Sequence, residues 1–460
     1  MAIWVDCGID CGTTVTKAVL LGDDGRLLAH ASRPTRWETP APGWSERSAG
    51  GLGEAVDALL AEVAAAVPDA RIRSVGVCSI AETGVLVGDD GAFRHPMMAW
   101  HDPRGGDQAK ALAPEVAAAL PARTGLSVSP VPSLFKLLWL RDEAGVDLRG
   151  TRWLGVADVV VRHLGAEPHS ERSLLGRTGL HDVHEEAPWQ PALDLLGVGP
   201  ELLPPAVTAG AALGRVRADH PVEAARGAVI TLAGMDHLVA AVAVGAGGIG
   251  SMCDSMGTGE ALTVTLAHPP APPAVADLVA RGTSVHAHVI DGATCVIGGL
   301  RSGLVLDHVL TLLGAHSRED RRALDDAARG TPPADGIVLT GLALDDDLTV
   351  SASWPEGTPR EAVWTGVLER LRAGVESRVR AVQAAGHPLE ELYVTGGWAH
   401  LGTVLESRRG LLERMRVVDL DEPGAVGSAL FGRWAAKQGE GTDPVRQHGP
   451  PAGWFATSPS

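Results

Sequence analysis

One short pattern occurs twice in this chain of 460 residues, far apart in the sequence. The first copy is Ile9-Asp10-Cys11-Gly12-Thr13-Thr14, and the second is Asp254-Ser255-Met256-Gly257-Thr258-Gly259. Each copy has an acidic residue near the end of an apolar run, shortly before a Gly-Thr pair. Backbone N–H groups at such a turn form a concave site that binds anions. The pattern predicts two similar lobes, each with a hairpin turn, that hold a phosphate chain between them.

Local patterns around the first copy predict both strands and helices. Residues 3–9, 15–21 and 27–31 are apolar runs, and Asp23-Asp24-Gly25-Arg26 is a turn between the last two. Residues 51–67 have apolar side chains at helical spacing instead. Strands that alternate with crossover helices indicate an α/β fold with a mixed sheet.

The length of the chain and its glycine distribution predict the domain boundaries. At roughly 150 residues per domain, 460 residues should form two or three structural units. The glycine-rich run 245–250 is the clearest flexible segment, and we expect it to act as a hinge between two lobes. The predicted units are an N-terminal lobe of residues 1–245, a C-terminal lobe of residues 246–438, and a flexible polar tail of residues 439–460.

Charge and cysteine content narrow the classes of partner. The chain has 39 Lys and Arg against 56 Asp and Glu, a formal net charge of −17. An acidic surface repels phosphate backbones and anionic lipids, so we expect neither nucleic acid nor membrane as a partner. Five scattered cysteines form no disulfide framework, and the 13-residue apolar stretch 238–250 is too short to span a membrane. These features, with no signal peptide at the N-terminus, predict a cytoplasmic protein.

Two residues beside the first Gly-Thr turn suit an anion site. Asp10 precedes the turn and would hold a metal ion through water, and Lys17 follows one strand step later with a balancing positive charge. An ordinary hairpin explains one such turn equally well. Two turns in separate lobes, combined with further motifs, favour a phosphate-binding function.

The order of motifs along the chain resembles that of the FGGY carbohydrate kinases, from about Ile9 to Ala436. The segments that carry the resemblance are Asp10 to Lys17, Pro42 to Glu46, Trp100 to Arg104, Lys136 to Glu143, Ser173 to Leu180, Gly234 to His237, Gly257 to Gly259, and Gly396-Gly397 with Glu422 to Gly427. Each motif is modest by itself. Eight motifs in the order of the family make the resemblance strong.

The resemblance implies a fold and two cofactors. The implied fold is a two-lobed, actin-like α/β fold built from duplicated ribonuclease-H-like lobes, with an ATP cleft between them. ATP and Mg²⁺ are the implied cofactors, and Asp10 and Asp236 are the implied metal-binding residues, either directly or through water. The residues implied to bind the nucleotide are Asp10, Gly12, Thr13, Thr14, Lys17, Gly257, Thr258, Gly259, Gly396 and Gly397.

The resemblance also implies the catalytic base. Asp236 would take the proton of a sugar hydroxyl as that hydroxyl attacks the γ-phosphate. Phosphoryl transfer needs little beyond positioning, metal charge and a carboxylate near the nucleophile, which agrees with this role. The alternative for Asp236 is a helix N-cap before the apolar segment 238–244, and one residue can serve both purposes.

The implied substrate is a small sugar or polyol bound by the first lobe. Besides Asp236, the residues implied to contact it are Glu82, Trp100, Asp102 and Arg104. Carboxylates and a guanidinium can each bridge neighbouring hydroxyl groups. A structural ion pair is the alternative for Asp102 and Arg104.

The sequence departs from the family or from its known branches at several informative positions. Ala81 replaces an Arg, and Val131 replaces a Tyr, of the glycerol kinase branch, while Glu82 and Thr83 occupy the places of the Met-His pair of xylulokinases. The sequence therefore predicts neither glycerol kinase nor xylulokinase specificity. Trp398 follows Gly396-Gly397 where the family has Gly, so it either stacks on adenine or forms part of a cleft wall. His286 and His288 lack metal-ligating neighbours and are interpreted as structural.

The predicted function is ATP-dependent phosphorylation of a hydroxyl of a small sugar or polyol. One alternative is a catalytically inactive sensor of sugar or nucleotide on the same fold, although such a protein has no need of Asp236. Another is an actin- or chaperone-like ATPase, which leaves the motifs at 100–104 and 136–143 unexplained. The identity of the sugar and the existence of a homodimer stay open.

Overall fold

The computed structural model describes residues 3–342, 350–438, 443–444 and 447–457. These residues form two compact units. Unit 1 contains the residues up to Gly247, Val285–Thr294 and the described residues from Asp421 onward. Unit 2 contains Gly248–Ser284 and the described residues of Cys295–Leu420.

Unit 1 combines one large sheet with several short strands and nine helices among its described residues. Its strands are β1 (Ile3–Cys11), β2 (Val15–Leu21), β3 (Leu27–Pro34), β4 (Glu46–Arg47), β5 (Ala70–Ser79), β6 (Gly84–Gly88), β7 (Met97–Met98), β8 (Thr151–Gly155), β9 (Ser170–Glu171), β10 (His181–Asp182), β11 (Ala187–Pro188), β12 (Ala206–Val207), β13 (Gly214–Arg215) and β14 (Val229–Met235). Its helices are α1 (Ala49–Ala66), α2 (Gly106–Lys110), α3 (Pro114–Thr124), α4 (Ser133–Asp142), α5 (Val156–Leu164), α6 (Arg172–Leu175), α7 (Gln190–Leu196), α8 (Asp236–Ala243) and, at the C-terminus, α14 (Pro423–Gln438).

The large sheet of unit 1 has six strands in the order β13-β14-β5-β1-β2-β3. β1 pairs antiparallel with β2, and β2 pairs antiparallel with β3, as their apolar runs and turn residues predict. β1 pairs parallel with β5, and β5 pairs parallel with β14. The parallel strands need crossover helices, and α1 supplies the first of them.

A smaller sheet supports the segments that carry the predicted sugar site. Its four strands follow the order β4-β7-β6-β8. Against it lies an apolar cluster centred on the buried face of α4, where Leu134, Phe135 and Leu137 are fully buried. Burial of this face fixes α4, and with it the loop that precedes the helix.

Unit 2 contains a second six-stranded sheet. The remaining strands are β15 (Ser251–Met256), β16 (Glu260–Leu266), β17 (Thr283–Ala287), β18 (Thr294–Leu300), β19 (Val338–Thr340), β20 (Ser351–Ser353), β21 (Glu391–Thr395) and β22 (Arg414–Val417), and β17 and β18 each include residues of both units. The remaining helices are α9 (Pro272–Ala280), α10 (Ser302–Leu312), α11 (Arg318–Ala328), α12 (Arg360–Ala384) and α13 (Gly402–Arg408).

The two large sheets repeat one arrangement. The second sheet has the order β17-β18-β16-β15-β21-β22. β15 pairs antiparallel with β16 and parallel with β21, and β21 pairs parallel with β22. In unit 1, β1 has the same relations to β2 and β5, and β5 has the same relation to β14. The duplication predicted from the repeated pattern is therefore present, and the two Gly-Thr turns connect equivalent strand pairs.

The C-terminal helix α14 lies directly against the backbone of the unit 1 sheet. A Cβ atom added to Gly8 of β1 would lie 1.8 Å from the carbonyl oxygen of Ala425. One added to Gly76 of β5 would lie 1.9 Å from that of Ser428. Glycine at both positions lets the helix and strand backbones touch.

The position of α14 differs from the predicted domain boundary, which assigned residues 246–438 to the second lobe. The physical reason is the close glycine-mediated packing of α14 on β1 and β5, which makes the helix part of unit 1. Residues 285–294 also belong to unit 1. The sequence contains no local pattern that reports such long-range contacts.

Part of the predicted flexible tail is packed as well. Thr208 Oγ1 donates a hydrogen bond of 2.6 Å to the carbonyl oxygen of Gln447. The Phe455 ring is 2% exposed, and its centroid lies 4.9 Å from that of Phe431 in α14. Residues 439–442, 445–446 and 458–460 of the predicted tail lie outside the described residues. Among the described residues, no helix has both the length and the apolar content needed to cross a membrane.

Gly8→Ala should destabilise the protein because its added methyl group would overlap the backbone of α14. We expect a loss of about 3 kcal/mol in the free energy of unfolding, measured by urea denaturation. Gly106→Ala is the matched control, since a Cβ there has no neighbour within 4 Å, and it should change stability by less than about 0.5 kcal/mol. Equal stabilities of the two variants would contradict the direct packing of α14 on β1.

Candidate active site

The Gly-Thr turn of unit 1 connects β1 to β2 and is held from three directions. Gly12 N–H donates to the Val15 carbonyl oxygen at 3.1 Å, which closes the turn. Thr35 Oγ1 donates to the Gly12 carbonyl oxygen at 2.9 Å, and Trp37 Nε1 donates to the Thr13 carbonyl oxygen at 2.8 Å. These bonds fix the carbonyl groups of the turn away from any anion that its N–H groups would face.

Asp10 lies near the end of β1, and its carboxylate is incompletely hydrogen-bonded by the described residues around it. Its Oδ1 atom is buried and has no hydrogen-bond partner among the described residues. Burial, followed by the negative charge of Asp236, raises the pKa of Asp10 to about 7. A Cβ on Gly424, in the first turn of α14, would lie 2.6 Å from Asp10 Oδ2. Asp10 is therefore confined beside a second carboxylate and a glycine.

Asp236 is the first residue of α8 and is half-buried. The N-cap position of α8 is held by Met235, whose side chain makes no capping bond. Asp236 Oδ1 accepts a hydrogen bond of 2.8 Å from the His237 N–H. The N-cap alternative for Asp236 is therefore wrong by one position, because the helix begins at Asp236 itself.

A buried polar pair holds the backbone just before Asp236. Ser173 N–H donates to Glu171 Oε2 at 2.8 Å, and Ser173 Oγ donates to the same oxygen. Ser173 Oγ in turn accepts a hydrogen bond of 3.0 Å from the Met235 N–H. Gly234 has a φ of 110°, and a Cβ there would lie 2.6 Å from Glu171 Oε2. Only glycine fits this close approach, which sets the direction in which α8 starts.

Lys17 pairs with an acidic residue at the start of α14. Lys17 Nζ lies 2.5 Å from Glu422 Oε2, and both side chains are partly exposed. Lys17 is the cross-strand partner of Asp10 in the register of β1 and β2. The positive charge of Lys17 is therefore present beside the turn, and the negative charge of Glu422 partly balances it.

Asp102 and Arg104 form a buried ion pair with each other. Arg104 Nε donates to Asp102 Oδ1 at 2.8 Å, and the Ser45 N–H donates to Asp102 Oδ2 at 2.7 Å. Arg104 Nη1 also donates to Glu46, and the guanidinium lies 4.1 Å from the ring centroid of Trp44. Burial alone would raise the pKa of Asp102, but hydrogen bonds from Arg104 and Ser45 lower it. These contacts favour the structural alternative over direct sugar contact.

Glu82 differs from Asp102 in its backbone and its partner. Its φ is 58°, a conformation that a non-glycine residue adopts at a cost of about 1 kcal/mol. Arg177 Nε donates to Glu82 Oε1 at 2.6 Å, and Ser133 Oγ donates to the Glu82 carbonyl oxygen at 3.0 Å. Strained backbone of this kind concentrates at functional sites.

Trp100 connects several of these segments. Its backbone N–H donates to Thr83 Oγ1 at 2.8 Å, and its indole Nε1 donates to Thr13 Oγ1 at 2.9 Å. Lys136 Nζ donates to the Trp100 carbonyl oxygen at 3.2 Å. The residue predicted to bind sugar is thus bonded to the residue predicted to bind phosphate.

Lys136 is completely buried and uses all three of its donor positions. Besides Trp100, it donates to the carbonyl oxygens of Pro130 at 2.8 Å and Val131 at 3.1 Å. Burial lowers the pKa of Lys136 to about 8. Lys136 joins the loop before α4 to the Trp100 segment, which explains why a compact ammonium group stands here in a chain that otherwise prefers Arg.

In unit 2, the second Gly-Thr turn connects β15 to β16 and supports a helix. The Leu304 N–H donates to the Thr258 carbonyl oxygen at 3.0 Å, and a Cβ on Gly303 would lie 2.0 Å from the Gly257 carbonyl oxygen. The first turn of α10 therefore contacts this turn directly. Gly396 follows β21 with a φ of 97°, and a Cβ there would lie 2.5 Å from the Met256 carbonyl oxygen. The residues predicted to bind nucleotide in unit 2 are thereby brought together.

The acidic residues of the two repeated patterns have different surroundings. Asp254 accepts a hydrogen bond of 2.8 Å from Arg408 Nε, and the same guanidinium donates to Glu260 at 2.6 Å. All three side chains are buried. Asp10 is two residues before its turn glycine, whereas Asp254 is three residues before Gly257, so strand alternation directs the two carboxylates to opposite faces. The sequence pattern suggested an equivalence that this one-residue shift removes.

Other candidates from the sequence have structural surroundings. The Trp398 ring lies 5.9 Å from the Arg321 guanidinium. His286 and His288 are buried, and His288 Nδ1 accepts a hydrogen bond of 2.9 Å from the Ile290 N–H. Burial lowers the pKa of His288 to about 3, so this side chain is neutral and packed. These contacts support the structural interpretation of the two histidines.

One titratable cluster in unit 1 lies outside the predicted site. His163 Nε2 and His220 Nε2 lie 2.9 Å and 3.0 Å from the same oxygen of Asp57. Three such groups can ligate a metal. The Val222 N–H, however, donates to His220 Nδ1, which places the imidazole proton on Nε2, where it bonds to Asp57. The cluster is therefore accounted for by hydrogen bonds.

Sequence reasoning missed several residues that hold the site. Glu171 has no pattern that marks it as buried, and Trp37 and Thr35 follow β3 in a segment without a recognised motif. Their roles depend on contacts between segments far apart in the sequence. Arg177 lies within the motif Ser173 to Leu180, but its pairing with Glu82 was not predicted.

Comparison with known proteins identifies the family. The N-terminal domain of the FGGY family of carbohydrate kinases matches residues 5–243, slightly more than half of this chain. The chain belongs to the FGGY family. It is a carbohydrate kinase, a phosphotransferase with an alcohol group as acceptor, and it has the two-lobed actin-like fold that the motifs implied.

Three similar proteins cover nearly the whole chain. L-fuculokinase of Salmonella typhi is 23% identical over 450 residues, which cover 92% of this chain and 91% of that protein. Glycerol kinase of Citrifermentans bemidjiense is 27% identical over 433 residues, which cover 88% of this chain and 84% of that protein. The crystal structure of xylulose kinase from Rhodospirillum rubrum has a TM-score of 0.84 at 25% identity and covers 99% of this chain and 92% of that one.

Asp102→Asn should reveal the structural role of the buried pair, because Arg104 would lose the charge of its bidentate partner and keep only Glu46 as a charged partner. We expect a loss of about 3 kcal/mol in the free energy of unfolding, measured by urea denaturation. Asp147→Asn is the matched control. Asp147 and Arg149 have the same spacing and similar bonds, with Arg149 Nε donating to Asp147 Oδ1 at 3.1 Å, but both are exposed. The control should lose far less stability, because solvent screens the exposed pair, and a similar loss in both variants would contradict the structural role.

The buried Lys136 should make stability depend on pH in one direction. The folded protein releases this proton near pH 8, whereas the unfolded chain keeps it up to about 10.5. The unfolded state therefore binds more protons between these values, and the contribution of Lys136 to stability increases as pH rises through them. The unfolding free energy of the wild type relative to Lys136→Met should rise from pH 8 to 10.5.

Lys110→Met provides the control for the substitution itself, because Lys110 is exposed on α2. It should leave the free energy of unfolding nearly unchanged. A flat or falling difference for Lys136→Met, measured by urea denaturation at several pH values, would show that Lys136 is not buried as a charged group.

Proposed function

We propose that this carbohydrate kinase transfers the γ-phosphoryl group of ATP to a hydroxyl group of a small sugar or polyol, with Asp236 as the general base. The observation that carries the proposal is the grouping of Asp236, Asp10 and the turn 12–14 in unit 1. Trp100, which belongs to the proposed sugar site, is bonded to that turn. Acceptor, base and phosphate-binding turn would thus be held by one compact unit.

The residues present fit a Mg²⁺ ion. The buried Oδ1 of Asp10 has no hydrogen-bond partner among the described residues, and the charge of Asp236 adds to the penalty on its ionised form. Two neighbouring carboxylates supply the oxygen ligands that Mg²⁺ prefers. Asp10 and Asp236 would hold the ion directly or through water, and the ion would supply positive charge to the phosphate oxygens.

The turn 12–14 binds phosphate oxygens of the nucleotide in this proposal. Gly12 permits close approach of the backbone, and the hydroxyl groups of Thr13 and Thr14 donate to anionic oxygens. Lys17 contributes positive charge, which Glu422 partly balances. In unit 2, the turn 257–259 and Gly396-Gly397 bind the remaining parts of the nucleotide.

Asp236 accepts the proton of the attacking hydroxyl group. Its place at the first position of α8 puts it where the backbone is fixed by Ser173 and Gly234. A base must lie within hydrogen-bond reach of the proton that it removes, so this fixed backbone is part of the catalytic geometry. Sugar hydroxyl groups are bound by Glu82 and by Trp100, while Asp102 and Arg104 shape the site from behind.

Two features narrow the substrate. Ala81 and Val131 supply neither the guanidinium nor the phenol that glycerol kinases use, so glycerol should be a poor substrate. The L-fuculokinase of Salmonella typhi aligns with 92% of this chain. L-Fuculose is therefore the first sugar to test, within the wider class of tetroses, pentoses, hexoses and their polyols.

The experiment that tests the function is a screen of ADP release from Mg-ATP across these sugars. Turnover that requires one sugar, with glycerol among the weakest acceptors, supports the proposal. ADP release that is independent of sugar would favour the ATPase alternative. Ligand binding without any turnover would favour the inactive sensor. Glycerol as the acceptor with the highest kcat/KM would contradict the interpretation of Ala81 and Val131.

Asp236→Asn should lower kcat by at least about 100-fold, because loss of a positioned base costs this much or more. Nucleotide affinity, measured by calorimetry with a non-hydrolysable ATP analogue, should change little by comparison. Asp107→Asn is the control, since Asp107 also lies in the first turn of a helix but is exposed and paired with Lys110. Near-normal turnover of Asp236→Asn would show that another group acts as the base.

A further inference from the structure

Two tryptophan indoles donate to the same residue of the phosphate-binding turn. Trp37 Nε1 donates to the backbone carbonyl oxygen of Thr13 at 2.8 Å. Trp100 Nε1 donates to the side-chain Oγ1 of Thr13 at 2.9 Å. The imidazole of His101 lies edge-on to both rings, with centroid distances of 6.0 Å and 5.2 Å. The two indoles thus pack with His101 as one group beside the turn. They donate to different atoms of Thr13, one in the backbone and one in the side chain.

The backbone of Trp100 leaves its indole little freedom. The N–H is bonded to Thr83 Oγ1 at 2.8 Å, and the carbonyl oxygen is bonded to Lys136 Nζ at 3.2 Å. Thr83 is adjacent to Glu82, whose positive φ and bond to Arg177 fix the same segment. A ligand that contacts the Trp100 ring or Glu82 therefore contacts a group of residues that is hydrogen-bonded to Thr13.

The hydroxyl group of Thr13 has one proton to donate and two lone pairs that accept. The indole N–H of Trp100 occupies one lone pair, so the proton of the Thr13 hydroxyl remains available for an anionic oxygen. Donation into a hydroxyl group also strengthens the bond that this hydroxyl donates onward. Trp100 thereby sets both the position of Thr13 Oγ1 and the direction of its O–H bond, whereas Trp37 acts only on the backbone.

We propose that Trp100 is a positioning residue that couples the sugar site to the phosphate-binding turn through the hydrogen bond from its indole N–H to Thr13 Oγ1. This inference rests on the proposed function. Sugar bound against the Trp100 ring holds the indole in place, and the indole holds the Thr13 hydroxyl toward the nucleotide phosphates. Sugar should then tighten nucleotide binding, and nucleotide should tighten sugar binding by the same factor.

Trp100→Phe tests the coupling, because it keeps an aromatic ring and removes the N–H donor. The affinity for AMP-PNP is measured by calorimetry with and without saturating L-fuculose, or the sugar of highest kcat/KM in the screen if that sugar differs. In the wild type, sugar should tighten AMP-PNP binding at least about 5-fold. In Trp100→Phe, the effect should fall below about 2-fold when each variant is saturated with sugar.

Trp37→Phe is the matched control, since it removes an indole N–H from the same residue but from the backbone oxygen. It should retain the wild-type coupling. If Trp100→Phe keeps the coupling, or if Trp37→Phe loses as much, the inference is overturned. Sugar-dependent turnover without coupling in the wild type would also overturn it while leaving the proposed function intact, whereas a chain without turnover on any sugar would overturn the proposed function.

Variants of Thr13 test the same hydrogen bond by changing its acceptor. They replace the Trp100→Phe experiment if that variant does not fold. Thr13→Val removes the hydroxyl group at constant shape and should abolish the coupling. Thr13→Ser keeps the hydroxyl group and should restore it, which a purely steric role of the side chain would not predict. The double variant of Trp100→Phe with Thr13→Val should show the coupling of either single variant, because both remove one interaction. Additive losses would contradict a shared bond.

Discussion

The direct contact of α14 with the sheet of unit 1 determines the geometry of the proposed active site. Gly8 and Gly76 bring the helix backbone onto β1 and β5, and Gly424 then lies against Asp10. Gly427 of the same helix closely approaches Val239 of α8, the helix that begins at Asp236. One helix thus sets the positions of two carboxylates that come from strands on either side of β5. A methyl group at Gly8, Gly76 or Gly427 would overlap a backbone carbonyl oxygen, and one at Gly424 would overlap the carboxylate of Asp10.

That packing places negative charges together at a cost. Burial and Asp236 raise the pKa of Asp10 to about 7, so the ionised form is disfavoured without a compensating cation. The positive φ of Glu82 adds local strain of about 1 kcal/mol. The buried bonds of Arg104 with Asp102, by contrast, balance the charges of both groups. Unfavourable electrostatics and strain are thus present where phosphate, metal and sugar are proposed to bind, as expected of a binding site prepared for ligands.

The sequence predicted those features that depend on neighbouring residues. Strands β1 to β3 follow from apolar runs separated by turn residues, and the duplication follows from the repeated Gly-Thr pattern. The placement of α14 in unit 1 could not be predicted, because it depends on strand glycines that are distant from the helix in sequence. The hydrogen bond from the Met235 N–H to Ser173 Oγ and the hydrogen bond from Trp37 Nε1 to the Thr13 carbonyl oxygen were missed for the same reason. Asp254 was misjudged because a shift of one residue reverses the face of a strand.

The pairs Asp102 with Arg104 and Asp147 with Arg149 show why a motif alone cannot assign a role. Both pairs have the same spacing and a similar bidentate geometry, yet the first is buried and the second is exposed. A carboxylate whose oxygens are already bonded to a guanidinium and a backbone N–H has little capacity left for a sugar hydroxyl. Trp100 and Asp236 are not enclosed in this way, since both are half-buried. Sugar specificity should therefore depend on Trp100 and Asp236, with the buried ion pair fixing the wall behind them.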